Sequence, residues 1–562
     1  MKRKERNESL PILPLIAASG DVAGGAAGIT KAIKVSRDVG QCIKVCLSSA
    51  PHRADNRFGE QRALAPFCPT SRRPPPTFSR ESYEAGSVVA RMSRCWSLLV
   101  LLAVAVAGTR EDKVTYQGAQ LLRINITSEE EQDIVRALED SDALLGNAVA
   151  SREDRRSCAA ASLLIQPHTL VETQPFNLLC SDELESQTAD VEAWNGLAAN
   201  STSVDVLVLP ENKDKVKESL VSSNLTYDVL IQDMEAAIQE ENPMPSDEEM
   251  AELEGRKGHR MTWQSYHRMQ DVHGYLDWLA QSYPKLCSVQ TIGSSVEGRP
   301  LKVLKISSDK AGSPAIWVDG GIHAREWISP ATVTYIINEL TENRHTHGDA
   351  VQNVDWYILP IVNPDGYEYT HRTDRLWRKN RSNGNSGSRC AGVDLNRNFA
   401  YKWGGAGSSH QPCKEIYAGS SGFSEPETSA VSNFVLSKKD RIKAYVTFHS
   451  YGQYILYPWG YDRVVPPDYK DLDRVARKAA QAMYKAGGST YTVGSAATTL
   501  YAASGGSDDW AKGSAKIKYT YTIELRDRGY HGFVLPANYI VPTASEGLAA
   551  VKVFAQEVQA LK

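Results

Sequence analysis

Residues 315–327 read AIWVDGGIHAREW, and this stretch predicts how the larger part of the chain folds. Its first half, AIWVD, is apolar up to the final Asp319, which favours a strand buried on both faces of a sheet. Two similar runs, WYILPIV at 356–362 and AYVTF at 444–448, alternate with helical stretches. Residues 261–562 are therefore predicted to form an α/β domain around a largely buried mixed sheet.

The second half of the stretch carries a candidate metal motif. His323 and Glu326 are separated by two residues, and His449 directly follows the strand AYVTF. Two histidines and one carboxylate form a ligand set that binds zinc and leaves one position open for water. An isolated H-x-x-E is more often a surface salt bridge, but both histidines here follow apolar strands, at the sheet edge where ligands gather. Glu524, in KYTYTIELRD, ends a third strand. It is either a salt-bridge partner or a general base beside the metal.

Residues 108–240 predict a separate small domain. VTYQGAQLLRI at 114–124 alternates like a strand, and SEEEQDIVRALED from Ser128 has the acidic first turn of a helix. A strand, a helix and another strand follow from Ser203. We predict a small α+β antiparallel-sandwich domain with helices on one face. Residues from about 147 to 187 fit neither period and are interpreted as an irregular insert.

The first part of the chain predicts targeting rather than fold. From Met92 the chain reads MSRCWSLLVLLAVAVAG, which has the basic start, apolar run and small residues of a signal peptide at 92–107. The apolar run is too short to span a bilayer, which needs roughly 20 apolar residues. The alternative to a signal peptide is a buried helix. Because a signal peptide should open a chain, residues 1–91 are interpreted as a disordered, non-native upstream extension.

A hinge is predicted between the two domains, at 241–260. Proline, acidic clusters and a basic end, GRKGHR, are typical of an exposed, protease-sensitive linker. Cleavage after Arg260 by a trypsin-like protease would leave 261–562 as the mature domain.

Composition excludes some partners. The chain has 562 residues, 42% of them hydrophobic, and a formal net charge of −4. This composition allows a large core. The sequence contains no stripe of Lys and Arg residues, so we expect that nucleic acid is not a partner. We expect no membrane span, and we expect a monomer.

Several motifs share one resemblance. GGIHAREW, LWRKNRS, VDLNRNF, FHSYGQ, YAASGGSDDW and ELRD occur in this order. Residues 261–562 thereby resemble the zinc metallocarboxypeptidases of the pancreatic A/B type. Residues 114–240 are more weakly similar to the family's inhibitory propeptide, whereas 1–91 and the insert have no counterpart. The resemblance implies a secreted, extracellular zymogen, one Zn²⁺ per catalytic domain, and a mixed eight-stranded-type sheet flanked by helices, the carboxypeptidase fold.

The resemblance also implies a role for each site residue. His323, Glu326 and His449 would be the zinc ligands. Glu524 would take a proton from the water that the metal activates, and Arg378 would stabilise the oxyanion. An isolated arginine would otherwise be interpreted as a solvated surface charge.

Residues for substrate recognition follow from the same resemblance. Asn396 and Arg397 would bind the terminal carboxylate of a peptide, for which a guanidinium group is well suited. Tyr501 would close over that carboxylate, although a half-buried loop tyrosine is the alternative. Arg325 and Tyr451 would line the approach for upstream substrate residues.

Preference for the last substrate residue depends on GGSDDW. Asp508 aligns with an aspartate in B-type and an apolar residue in A-type members, whereas Asp509 accompanies both and is interpreted as structural. A carboxylate in a closed pocket favours C-terminal Lys or Arg. Gly460, Ala496 and Ala497 leave room for a long side chain. The alternative is that neighbours reorient Asp508 and the preference is aliphatic or aromatic.

Cysteine pairing and glycosylation follow from secretion. Cys390 and Cys413 match the family's local disulfide, which leaves Cys287 unpaired and buried. Sequons occur at Asn125, Asn200, Asn224 and Asn380.

Two other classes of protein remain open. A non-catalytic zinc-binding relative would typically lack Glu524 or Arg378, and both are present. A metalloendopeptidase would not need Asn396 with Arg397 as a carboxylate clamp.

Overall fold

A computed structural model describes residues 113–139, 191–194, 202–255, 258–308, 310–348, 352–382 and 390–561. The predicted upstream extension, the signal peptide and the insert lie outside the described residues.

The small domain is an antiparallel sheet with the strand order β2-β3-β1-β4. Its elements, with the two helices that follow, are β1 (Gln120–Asn125), α1 (Glu129–Glu139), β2 (Val191–Ala193), β3 (Ser203–Val208), α2 (Lys213–Ser222), β4 (Tyr227–Ile231), α3 (Met234–Glu241) and α4 (Asp247–Gly255). The helix α4 lies within the predicted hinge.

Helices cover one face of this small sheet, as the sequence predicts. Val135 of α1 and Val216 of α2 pack in one cluster with Leu122 and Val206 of the sheet. The helix α1 begins with a capping box. Its two bonds are 3.1 Å each and join the Ser128 hydroxyl to the Glu131 amide, and the Glu131 carboxylate to the Ser128 amide.

The larger domain contains an eight-stranded mixed sheet with the order β11-β10-β12-β9-β7-β8-β6-β5. Its strands are β5 (Cys287–Ser294), β6 (Pro300–Ile306), β7 (Ala315–Asp319), β8 (Asp355–Leu359), β9 (Ile442–His449), β10 (Tyr454–Tyr457), β11 (Thr492–Ser495) and β12 (Tyr519–Glu524). Its α-helices are α5 (Met269–Ser282), α6 (Ile328–Thr341), α7 (Pro364–Arg372), α8 (Pro426–Ser437), α9 (Tyr469–Gly487), α10 (Ala496–Thr499), α11 (Ser507–Gly513) and α12 (Ile540–Gln559).

Alternate side chains of the central strands enter two separate cores. Ile316 and Val318 of β7 pack with α5, α6, α9 and α12. Trp317, between them, packs on the other face with α8 and α11. Both faces of the sheet are therefore buried, which confirms the prediction from AIWVD.

The strand directions determine where side chains can meet. β8, β7, β9 and β12 are neighbours in this order and run parallel. Their carboxyl ends therefore lie at the same edge of the sheet. In the pairing of β9 with β12, Glu524 lies directly opposite His449.

One helix start differs from a simple motif-based prediction. Ser424 followed by Glu427 predicts a capping box ahead of α8. This is wrong, because the Ser424 hydroxyl donates to Glu425 and the Glu427 carboxylate accepts from the Val296 amide instead. Tertiary contacts have replaced the local ones.

The cysteines of the larger domain are arranged as predicted. Cys390 and Cys413 form a disulfide, and Cys287 is buried with a free thiol. Within the described ranges, no helix combines the length and apolar character needed to cross a bilayer.

Candidate zinc centre and substrate site

Three predicted ligands converge at the carboxyl edge of the sheet. His323 and Glu326 lie in the turn between β7 and α6, and His449 is the last residue of β9. One potential ligand atom from each lies within 4.8 Å of the others, and all three side chains are buried. Among the described residues, this is the only such group of His, Cys, Asp or Glu.

The distances within this group suit a shared cation. Glu326 lies between the two rings, with one oxygen 2.7 Å from His323 Nδ1 and the other 3.1 Å from His449 Nδ1. The two Nδ1 atoms are 3.2 Å apart. Two imidazole nitrogens and a carboxylate directed at one point are the donor set that zinc prefers. These residues therefore fit the metal that the sequence implies.

A buried carboxylate orients the first ligand. His323 Nε2 lies 3.1 Å from Asp394 Oδ1. When a carboxylate accepts the Nε2 hydrogen of a histidine, the Nδ1 atom carries no hydrogen and its lone pair can bind a metal. In His323, this Nδ1 atom faces Glu326. Asp394 thus determines which nitrogen of His323 faces the centre.

Asp394 also holds the segment that is predicted to bind substrate. Its second oxygen accepts from Arg378 Nη2 at 2.9 Å, and its first accepts from the Asn396 amide, also at 2.9 Å. Arg397 Nη1 lies 3.7 Å away. Sequence reasoning missed this residue, although it stands in the motif VDLNRNF that supplied Asn396 and Arg397.

The charges around Asp394 compensate one another. Burial by itself would raise the pKa of this carboxyl, but Arg378, Arg397 and His323 hold it well below its usual value. Burial by itself would lower the pKa of Arg378, but Asp394, Tyr501 and Glu326 together raise it. Both groups therefore stay charged within the protein.

Glu524, the predicted general base, lies at the same edge of the sheet as the three predicted ligands. It ends β12 opposite His449 and remains partly exposed. Desolvation raises the pKa of its carboxyl to about 8; the nearby Glu326 adds to this shift, and His449 opposes it. Such a carboxyl can take up and release a proton near neutral pH.

The residues predicted to bind a terminal carboxylate lie beside this centre. Asn396 accepts a hydrogen bond from the Ser507 amide at 3.0 Å, which joins it to α11. Arg397 donates to the Gly407 carbonyl at 2.7 Å. Tyr501 is partly exposed.

Asp508 lies on the first turn of α11, next to Ser507. Its side chain is buried, and its Oδ2 has no hydrogen-bond partner among the described residues. Burial raises the pKa of this carboxyl. Asp509, in contrast, accepts from the Gly460 and Tyr461 amides at 2.8 to 3.0 Å, as a structural residue would.

The small domain covers the two residues predicted to line the approach. Tyr451 donates its hydroxyl to Asp205 Oδ2 at 2.9 Å. The Arg325 guanidinium lies 4.2 Å above the ring of Phe533, whose centroid is 4.8 Å from that of Trp194. Both approach residues are therefore in contact with, or beside, residues of the small domain.

A buried ion pair joins the two domains. Glu241, at the end of α3, accepts from Arg375 Nε at 2.6 Å and also from Arg375 Nη2. Each side chain is less than 4% exposed. Arg375 further donates to the carbonyls of Arg325 and Phe533. Sequence reasoning did not find this pair, because a lone glutamate in an acidic stretch gives no signal.

The fold and the site together define a class. Two histidines, one carboxylate and an adjacent glutamate at a sheet edge are typical of a hydrolytic zinc centre. Residues 272–550 match the family model for zinc carboxypeptidases, and residues 182–241 match that for carboxypeptidase activation peptides. The chain belongs to the zinc carboxypeptidase family and carries the activation peptide of a zymogen.

Relatives with both A-type and B-type names are similar to this chain. Carboxypeptidase B of Astacus astacus is 50% identical over 299 residues, 53% of this chain and 99% of the relative. Carboxypeptidase A4 of Mus musculus is 40% identical over 387 residues, 68% and 89% of the two chains. The crystal structure of thrombin activatable fibrinolysis inhibitor has a TM-score of 0.65 at 33% identity, covering 79% of this chain and all of that one.

Replacing Asp394 by Asn should weaken zinc binding about 10–100-fold, because the amide cannot hold the tautomer of His323 as a carboxylate does. The measurement is competition with a chelator of known affinity. Asp440→Asn makes the same chemical change at an exposed position and should retain the affinity of the unaltered protein. If the two variants bound zinc with equal affinity, Asp394 would not be needed to orient His323.

Proposed function

We propose that this chain hydrolyses the C-terminal peptide bond of peptides and proteins with the side chains described above. The supporting observation is the pairing of Glu524 with His449 across adjacent parallel strands, beside the centre of His323, Glu326 and His449. It puts a proton acceptor next to a cation site at the open edge of the sheet.

The chemistry divides between the metal and the protein. Zinc held by His323, Glu326 and His449 supplies a Lewis acid that makes water more acidic and polarises a carbonyl. Glu524 takes the proton of the attacking water as the oxygen bonds to the carbonyl carbon. It then gives that proton to the leaving amine as the C–N bond breaks. Arg378 donates to the carbonyl oxygen as negative charge develops there.

Recognition of a free C-terminus comes from a second set of residues. Arg397 and Asn396 bind the terminal carboxylate, and Tyr501 closes over it. Their place beside the metal centre puts the last peptide bond, and no internal one, at the reacting groups. An endopeptidase would have no use for this carboxylate site.

Glu524→Gln should lower kcat by more than about 100-fold with one zinc still bound, because the amide cannot accept the proton. Steady-state kinetics of the activated enzyme and its zinc content give the two readouts. Removing zinc with a chelator should abolish activity of the unaltered enzyme, and added zinc should restore it. Activity that survives in Glu524→Gln would mean that another group is the base.

We further propose that the enzyme prefers C-terminal Lys or Arg. Asp508 supports this preference, since a buried carboxylate oxygen without a partner suits a cationic side chain. Gly460 and Ala496 lie near each other and add no bulky side chain. One similar relative, from mouse, is named carboxypeptidase A4. The alternative that a test must exclude is therefore a preference for aliphatic or aromatic C-terminal residues.

Matched peptides ending in Lys, Arg, Leu and Phe separate these two preferences. The unaltered enzyme should favour the basic pair, and Asp508→Asn should lose roughly 100-fold in kcat/KM on that pair only, because the buried cation loses its counter-charge. Asp462→Asn, at an exposed position, is the matched control. A preference for Phe in the unaltered enzyme would end the B-type assignment, and equal hydrolysis of amidated peptides would point to an endopeptidase.

The activation peptide is proposed to keep the precursor inactive until a trypsin-like protease cuts after Arg260. Arg260 is exposed, and the next residue, Met261, is buried in the larger domain. The pairs Asp205–Tyr451 and Glu241–Arg375 join the activation peptide to the larger domain and would hold it there until the cut is made. The mature enzyme would span 261–562, act as a monomer, and be secreted by means of the signal peptide at 92–107.

Trypsin treatment of the precursor should release activity, and Glu241→Gln should raise activity before treatment. Breaking a buried ion pair costs about 3–5 kcal/mol, so this change should loosen the small domain from the cleft. Glu240→Gln, one residue earlier and exposed, is the control. An uncut precursor that is already fully active would contradict the inhibitory role.

A further inference from the structure

Asn380 is not the accessible glycosylation site that its sequon predicts. Its side chain is completely buried, and every polar atom of the side-chain amide is hydrogen-bonded within the protein. These hydrogen bonds indicate a different role for this side chain.

On one side, Asn380 is joined to the segment that precedes Asp394. Its Oδ1 accepts from the Val393 amide at 2.8 Å, and the backbone N–H of Asn380 donates to the Val393 carbonyl at 3.1 Å. Asn380 follows Arg378 by two residues, and Asp394 follows Val393 directly. These bonds fix the two segments whose side chains form the Arg378–Asp394 ion pair.

On the other side, the side-chain amide of Asn380 is joined to the start of α8. Asn380 Nδ2 donates to Glu425 Oε2 at 2.7 Å and to Glu427 Oε2 at 3.3 Å. Both carboxylates are buried. Glu425 also accepts from the Ser424 hydroxyl at 2.8 Å, and Glu427 from the Val296 amide at 3.0 Å.

We propose that Asn380 is a positioning residue for catalysis, which joins Glu425 and Glu427 to Val393 and so fixes Asp394 and, through it, Arg378. This inference rests on the proposed roles of Arg378 and zinc in hydrolysis. Asn380 itself touches neither substrate nor metal.

The chemistry of the side chain explains why an amide stands here. Only a side-chain amide offers an acceptor to Val393 and two donors to two carboxylates in one plane. A carboxylate at position 380 could accept but not donate, and it would add a third buried acid. A serine would be too short to reach both sides.

The surroundings of Glu427 change the ionisation of its carboxyl. Burial raises the pKa of Glu427 to about 7, and the nearby Glu425 and Asp365 add to the shift. The other charged groups that face this cluster are Arg299, 2.6 Å from Asp365, and Glu297, whose amide also binds Asp365. Near neutral pH, Glu427 therefore changes between a neutral and a charged form.

The sign of the pH effect follows from this raised pKa. The folded protein holds the proton on Glu427 more tightly than the unfolded chain does. The resulting stability is present at acidic pH and is lost as the pH rises to about 7. Glu427→Gln, which cannot ionise, should therefore gain in Tm relative to the unaltered protein as the pH increases.

The direct test uses zinc-loaded, trypsin-activated enzyme. Asn380→Asp should lose about 10–100-fold in kcat/KM at pH 8, mainly in kcat, since Arg378 acts on the developing oxyanion. Part of the loss should be recovered at pH 6, where a protonated Asp regains a donor. Asn538→Asp, at an exposed position, makes the same chemical change and should match the unaltered enzyme. The zinc content is measured in each case, so that loss of metal is not mistaken for misplacement.

Asn380→Ser introduces no charge, and it replaces Asn380→Asp in this test if the aspartate variant does not fold. It should lose kcat at every pH, without recovery at pH 6. Variants at position 380 that match Asn538→Asp in kcat and KM at all pH values would overturn the inference. An unaltered enzyme without activity would instead contradict the proposed function, and the Tm of Glu427→Gln against pH would still show whether the buried acids are coupled.

Discussion

Asp394 is the buried carboxylate on which the geometry of the site depends. It contacts His323, Arg378 and the Asn396 amide, so one side chain orients a predicted metal ligand, the proposed oxyanion donor and the proposed terminal-carboxylate site. A charge taken out of water must be compensated by its neighbours, and three cationic or polar groups do so here. Because each of them is held by the same carboxylate, displacement of one disturbs all of them.

The same requirement for compensation operates between the two domains. Arg375 is buried against Glu241 of the activation peptide, and Tyr451 donates to Asp205. In the precursor these polar groups are satisfied by the small domain. In the proposed activation, release of that domain would break both contacts and expose Arg375 and Tyr451.

Much of the fold and of the metal centre could be predicted from the sequence, because the signals are local. AIWVD predicts a buried strand by composition, and His323, Glu326 and His449 each follow such a strand. The misses concern contacts between distant segments. Ser424 looks like a helix cap, yet its hydroxyl binds Glu425 while Glu427 binds Val296. Asn380 looks like a glycosylation site, yet it is buried. Nothing yet tests the catalytic and substrate-binding roles, which stay predictions for Glu524, Arg378, Arg325, Asn396, Arg397, Tyr451, Tyr501 and Asp508.

The sequence by itself determined the strands, their apolar faces, the kinds of donor at their ends and the family to which these motifs point. Those features depend on residue type and short spacing, and both are visible in one dimension. Only the tertiary structure decided that Asp394 lies behind His323, that Asn380 joins Val393 to two buried acids, and that Glu241 reaches Arg375. Each of these contacts joins segments far apart along the chain, and the parallel order of the strands and the burial of charge bring them together.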